Sequence, residues 1–140
     1  MPWAGDRLGP ARLAGAYAWR KVRNAGGRLA LGSDFPVESA DPRLGLYAAV
    51  TRQDLKGQPA GGWLPGERLT REEALAGFTA DAAWSLFLDR EVGTLAVGKR
   101  ADLVVFGRDP MRVPEREIAT VPVDMTLVDG QVAYEREGAR

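Results

Sequence analysis

Residues 10–25, PARLAGAYAWRKVRNA, run through Gly26-Gly27 into the apolar segment RLALGS and then directly into Asp34. Pro10 suits the first helical position, where its missing N–H costs nothing. Leu13, Tyr17, Val22 and Ala25 mark an approximate apolar face, and the two glycines supply a stop. These features predict one helix over 10–25. Residues 28–33 are too continuously apolar for a half-exposed edge, and predict a short strand covered on both faces. A helix leading into a buried strand is the αβ half of a repeating α/β unit. Asp34 then admits two readings, a simple turn former or a catalytic carboxylate at a strand's end.

Further along, Asp41-Pro42 reads as an N-cap and first helical residue for RLGLYAAVTRQ, with Gly45 weakening the helix. Residues 54–66, DLKGQPAGGWLPG, hold glycine and proline breakers around one tryptophan and predict a long loop. Trp63 either shapes a pocket, pins that loop to the body, or serves an interface. Thr70 and Glu73 form the signature of a capping box. Ala74, Leu75, Phe78, Ala82, Ala83, Leu86 and Phe87 follow at helical spacing, as one helix or as two divided near Gly77 or Asp81. Trp84 and Phe87 are expected in the core. From about residue 92 the texture turns to short strands around Gly98-Lys99. TLVDGQVAYE reads as a hairpin turning at Asp129-Gly130.

Size and charge narrow the function classes. The chain has 140 residues and 15.1 kDa, room for one modest domain. Its formal charge of 0, from 19 basic and 19 acidic residues, gives no electrostatic case for nucleic acid. A mean hydropathy of -0.23 describes a soluble chain, and no apolar run reaches the roughly 20 residues of a membrane span. The opening MPWAGDRLGP lacks the pattern of a secretory signal, and the absence of cysteine suits the cytoplasm. Histidine is absent as well. Serine–histidine triads and histidine metal motifs are therefore impossible within these residues. Neither the helix-rich part, 1–90, nor the strand-rich part, 91–140, is self-sufficient. A single α/β unit does not make a covered sheet, nor a few short strands a sandwich.

Four stretches in order, GSDFPVE, DPRLGLYAAVTRQ, LTREEAL and GKRADLVVF, resemble the C-terminal part of the metal-dependent amidohydrolase superfamily. Within it the similarity is to the amidohydrolase-3, YtcJ-like group, and it covers about Leu8 to Tyr134. The resemblance implies an α/β fold, the C-terminal fragment of a (β/α)8 TIM barrel followed by part of a composite β-sandwich. Residues 1–90 would supply the last barrel helix, the final strand (28–33) and closing helices, and residues 91–140 the C-terminal sandwich strands. It also implies hydrolysis of non-peptide carbon–nitrogen bonds, or occasionally esters, of a small molecule, with a divalent metal, zinc first, in the parent enzyme.

In that frame Asp34 matches a carboxylate at the C-terminal end of a barrel strand, where barrel active sites form. Its implied roles are metal ligand and general base. Phe35, Arg52 and Trp63 are the substrate-pocket candidates, although Phe35 also suits a scaffold and Arg52 a structural or solvated arginine. The family takes its other metal ligands from histidines and a carboxylated lysine or acidic bridge on earlier strands. One carboxylate does not hold a catalytic zinc, which needs about three protein ligands. No cofactor is therefore expected on this chain alone. Two other readings stand: a catalytically silent fragment that folds by association with itself or with a missing barrel portion, and an unrelated small binding module.

Overall fold

The computed structural model describes residues 2–138. Met1, Ala139 and Arg140, the outermost residues of the expected 1–90 and 91–140 parts, lie outside them. The helices are α1 (Pro2–Leu8), α2 (Pro10–Leu13), α3 (Trp19–Asn24), α4 (Pro42–Thr51), α5 (Arg71–Phe78) and α6 (Ala80–Ser85). The strands are β1 (Leu103–Phe106), β2 (Val123–Val128) and β3 (Gln131–Glu135). Short 3-10 turns occupy Pro65–Glu67 and Glu115–Thr120. The architecture is mixed α/β, and its described sheet has three strands in the order β1-β2-β3.

The core forms where α4 meets the chain around it. Leu46, Tyr47, Ala49 and Val50 pack with Leu69, Ala74, Val113, Ile118 and Val121. Each fully buried Leu, Ile or Val contributes about 1.5–3 kcal/mol by leaving water. α4 begins as the sequence predicts. The Asp41 carboxylate accepts the Arg43 N–H at 3.0 Å, and Pro42 takes the first turn. Gly45 sits inside this helix because the Phe78 ring occupies the space a Cβ would need. The capping box at α5 is also present, with Glu73 N–H donating to Thr70 Oγ1 and Thr70 N–H to Glu73 Oε2.

β1, β2 and β3 pair antiparallel throughout, with irregularities at Val105/Phe106 and Thr126/Leu127. The expected hairpin closes at Asp129-Gly130, whose φ angles of 51° and 78° are the positive pair of a type I′ turn. Val104, Thr126 and Tyr134 form one row across the sheet, and Leu103, Leu127 and Val132 another. The irregularity at Thr126/Leu127 sets Val132 opposite Leu127, although Val132 and Tyr134, two residues apart, share a face of β3. The adjacent Val104 and Val105 point to opposite faces, so apolar residues stand on both. Val104, Val132 and Tyr134 remain about half exposed.

Four expectations are corrected. The helix predicted over 10–25 is two short helices, α2 and α3, interrupted at Ala14–Ala18. Tyr17 takes a left-handed φ of 49°, and its carbonyl accepts from Arg52 Nη1, so a tertiary bond outcompetes the helix there. Tyr17 and Val22 of the supposed buried face are exposed. Residues 28–33 form no strand among the described residues. A strand exists only by pairing, and here Leu31 N–H donates to the Gly77 carbonyl at 2.9 Å instead. The described sheet is the three-stranded antiparallel one, and the described residues do not by themselves display the barrel portion that the resemblance implies. Residues 92–97 form no strand, and only Leu103–Phe106 of that region is one.

The last correction concerns two aromatic residues. Trp84 and Phe87, expected in the core, are 48% and 91% exposed. The helical run divides at Thr79, α6 ends at Ser85, and Phe87 enters the left-handed region with φ of 60°. Trp84 is thus on a second, short helix and Phe87 lies beyond its end, so the spacing of α5 fixes neither ring. Trp84 is instead covered by the Arg28 guanidinium, 4.6 Å from the ring centroid.

Candidate functional site

Asp34 lies where the extended segment from Leu29 to Leu31 leaves the body. That segment lies against α5 because Gly77 has no side chain, and a Cβ there would come within 2.7 Å of Leu31 and 3.0 Å of the Leu29 carbonyl. After Ser33 the chain turns. Asp34 has φ of 53°, in the left-handed region that aspartate tolerates better than most residues. Its carbonyl accepts the Val37 N–H at 2.8 Å, closing the turn. The backbone role of a turn former is thus present. The Asp34 side chain is exposed, and no hydrogen bond or ion pair to its carboxylate exists among the described residues. Phe35 follows, 69% exposed and joined to Pro36 by a cis peptide.

Arg52 and Trp63 occupy the other end of α4. The Asp34 turn precedes the N-cap Asp41, whereas Arg52 caps the helix C-terminus in a left-handed conformation with φ of 54°. The ten residues of α4 lie between Asp41 and Arg52, about 15 Å of axial rise. Arg52 is only 1% exposed. Its guanidinium carbon lies 4.5 Å from the Trp19 ring centroid and 5.1 Å from that of Trp63. Nε donates to the Trp63 carbonyl at 2.6 Å and Nη1 to that of Tyr17 at 3.3 Å. Burial pushes the guanidinium down from its ordinary range, while the charge of Glu67 opposes that shift. Trp63 N–H in turn donates to the Arg52 carbonyl, and the Tyr17 ring meets Trp63 edge-on at 5.6 Å. Of the alternatives for Trp63, the geometry is that of a residue pinning its loop to the body.

The structure therefore brings Arg52 and Trp63 together and leaves Asp34 and Phe35 in a separate turn. A shallow cavity of about 420 Å³ is lined by Arg23, Arg28, Glu73 and Asp81, among others, and by none of the four candidates. Sequence reasoning missed Trp19, the second ring over Arg52. The signal was its place in AYAWRK, but the assumption of one continuous helix concealed which way it faced.

The residues present do not fit the divalent metal that the resemblance implies. Among the described residues no three histidine, cysteine, aspartate or glutamate side chains are grouped to hold a cation. The whole sequence contains neither histidine nor cysteine. A lone oxygen ligand at Asp34 is short of the coordination any catalytic divalent site requires.

The profile of the amidohydrolase family matches residues 1–134, so the chain belongs to that family. Its relatives include YtcJ of Bacillus subtilis, an amidohydrolase by assignment, at 33% identity over 97% of this chain and 26% of the relative. The N-substituted formamide deformylase of Arthrobacter pascens is 34% identical over 98% of this chain and 24% of its own length. LONG AFTER FAR-RED 3 of Arabidopsis thaliana is 33% identical over 91% of this chain and 22% of its own. The chain spans about a quarter of the length of these relatives. No solved structure matches it.

Proposed function

We propose that this chain is the C-terminal share of a metal-dependent hydrolase of non-peptide carbon–nitrogen bonds, with Asp34 as its general base. The family match across residues 1–134 carries this reading. Residues 1–90 supply the closing portion of a barrel and residues 91–140 the last strands of a β-sandwich. Exposure of Asp34 in the turn that ends the apolar run supports its role, since substrate and water can reach it. In that role the carboxylate takes a proton from the attacking water and returns it to the leaving nitrogen. Phe35, in the same turn, offers an apolar surface to the substrate. The substrate is a small amide, by analogy with the named activity of the formamide-cleaving relative. The metal-holding residues belong to sequence other than these 140 residues, because the donor set here does not suffice. A cytoplasmic setting agrees with the lack of cysteine, and no described helix is long and apolar enough to cross a membrane.

A second reading has its own support: the 140 residues alone are catalytically silent and associate through exposed apolar surface. Phe87, Leu95 and Val97 are each more than 80% exposed, and the sheet carries half-exposed apolar residues on both faces. Such surface favours association.

One assay separates the two. Amine release from N-substituted formamides is measured for the 140-residue chain and for the same chain joined to the coding sequence preceding it in frame. Each is made with and without Asp34→Asn. The joined form should hydrolyse, and D34N should lower its kcat by about 100-fold or more. Unchanged turnover in D34N would remove Asp34 from the mechanism. An upstream frame without histidine codons would count against the hydrolase reading itself. Light scattering larger than a monomer for the short chain supports association.

A further inference from the structure

We infer that Arg52 is a latch whose guanidinium, held between Trp19 and Trp63, closes residues 53–62 into a preformed Ω-loop that opens as one unit when the latch is removed. Three observations carry this. The loop's ends meet reciprocally, since Trp63 N–H donates to the Arg52 carbonyl at 2.9 Å and Arg52 Nε to the Trp63 carbonyl at 2.6 Å. Such close ends define an Ω-loop.

The loop's interior also satisfies itself. Asp54 Oδ1 accepts from the backbone of Lys56 and Gln58, Asp54 N–H donates to the Gln58 carbonyl, and Gln53 Nε2 donates to the carbonyls of Gly57 and Pro59. A loop whose polar groups are paired internally is able to move without unravelling. Its ties to the body, finally, are few. One is Tyr47 Oη donating to the Asp54 carbonyl at 3.0 Å; the others gather at the neck, where Gly62 approaches Thr51 too closely for any side chain.

The choice of cation is part of the device. Arg52 is buried, with no carboxylate in contact and Nη2 without a hydrogen-bond partner among the described residues. Two indole faces add attraction to that of the Glu67 charge, which acts without direct contact. Lysine would keep the charge but not the planar group that stacks between rings while its Nε reaches a carbonyl. The latch sits at the C-terminal end of α4.

Lysine-specific proteolysis under native conditions reads the latch directly. The chain has three lysines, Lys21, Lys56 and Lys99, and only Lys56 lies in the loop. Arg52→Met should raise the rate of cleavage after Lys56 by about 10-fold or more, leaving cleavage after Lys99 within twofold of the parent. Trp63→Phe, which keeps an aromatic ring and the backbone, should raise it about threefold and serves as the second arm should R52M fail to fold. An unchanged Lys56 rate in the folded variants would overturn the latch. An equal rise at Lys99 would also overturn it, since that reports general loss of stability.

Discussion

Arg20 forks onto Glu73, with Nη1 2.6 Å from Oε1 and Nη2 2.5 Å from Oε2. The same carboxylate accepts the Thr70 N–H at 2.8 Å, and Arg20 Nη2 also donates to the Arg68 carbonyl. One acidic side chain thereby completes the cap of α5 and ties α3 to it. The pair is mostly shielded, with side-chain exposures of 27% and 19%. Bidentate charge-assisted bonds of this kind are the strong class.

Glu73 gives the chain a specific acid sensitivity. The hydrogen bond from Arg20 above all, helped by that from Thr70 and the charges of Arg20 and Arg23, holds its pKa at about 2 against burial, which acts the other way. A folded pKa below the unfolded one stabilises fully above the unfolded value near 4.5, and that contribution is lost as pH falls toward 2. Urea unfolding of the parent between pH 5 and pH 2 should lose on the order of 2 kcal/mol from this group. Glu73→Gln should start less stable and lose correspondingly less over the same window.

Asp41 is the second acidic cap with a double role. It accepts the Arg43 N–H and also pairs with the Arg43 guanidinium, Oδ2 to Nη2, at 2.6 Å. Arg43 Nη1 reaches the Val121 carbonyl at 2.6 Å, across the core. Asp41→Ala should cost about 1–2 kcal/mol through the lost cap and the released arginine. Asp41→Asn keeps a capping oxygen and should cost less. The urea midpoint of each variant at pH 7 checks the order.

Gly77 is where the segment before Asp34 is seated. Gly77→Ala forces a methyl toward Leu31 and the Leu29 carbonyl, and overpacking of this kind costs roughly 1–3 kcal/mol. Hydrogen exchange at the Leu31 amide, which donates to the Gly77 carbonyl, should accelerate more than exchange in β2. Equal acceleration at both places would mean the segment is not held locally.

Gly130 has φ of 78° in the β2–β3 turn. Gly130→Ala places a side chain in left-handed backbone at a cost of about 1–2 kcal/mol. The thermal midpoint should fall accordingly. Asp129→Gly, at the neighbouring φ of 51°, relieves the same conformation and should be tolerated.

Local chemistry made several of these features legible. Asp41-Pro42, Thr70 with Glu73, Gly26-Gly27 and Asp129-Gly130 each act over about four residues, so the sequence suffices to predict them. The burial of Trp84 and Phe87 was not legible, since helical spacing fixes a face only while the helix continues, and this one divides at Thr79. The clamp on Arg52 was equally hidden, because its rings come from residues 19 and 63.

The sequence by itself determined the caps, the hairpin, the family and the position of Asp34 after an apolar run. Whether that run pairs as a strand was decided by tertiary structure. A strand needs hydrogen-bonding neighbours from elsewhere in the chain, and here the Leu31 amide meets a helical carbonyl at Gly77 instead. The same holds for Arg52, whose charge is plain in the sequence. Only the folded chain supplies the two indole faces that make its burial tolerable.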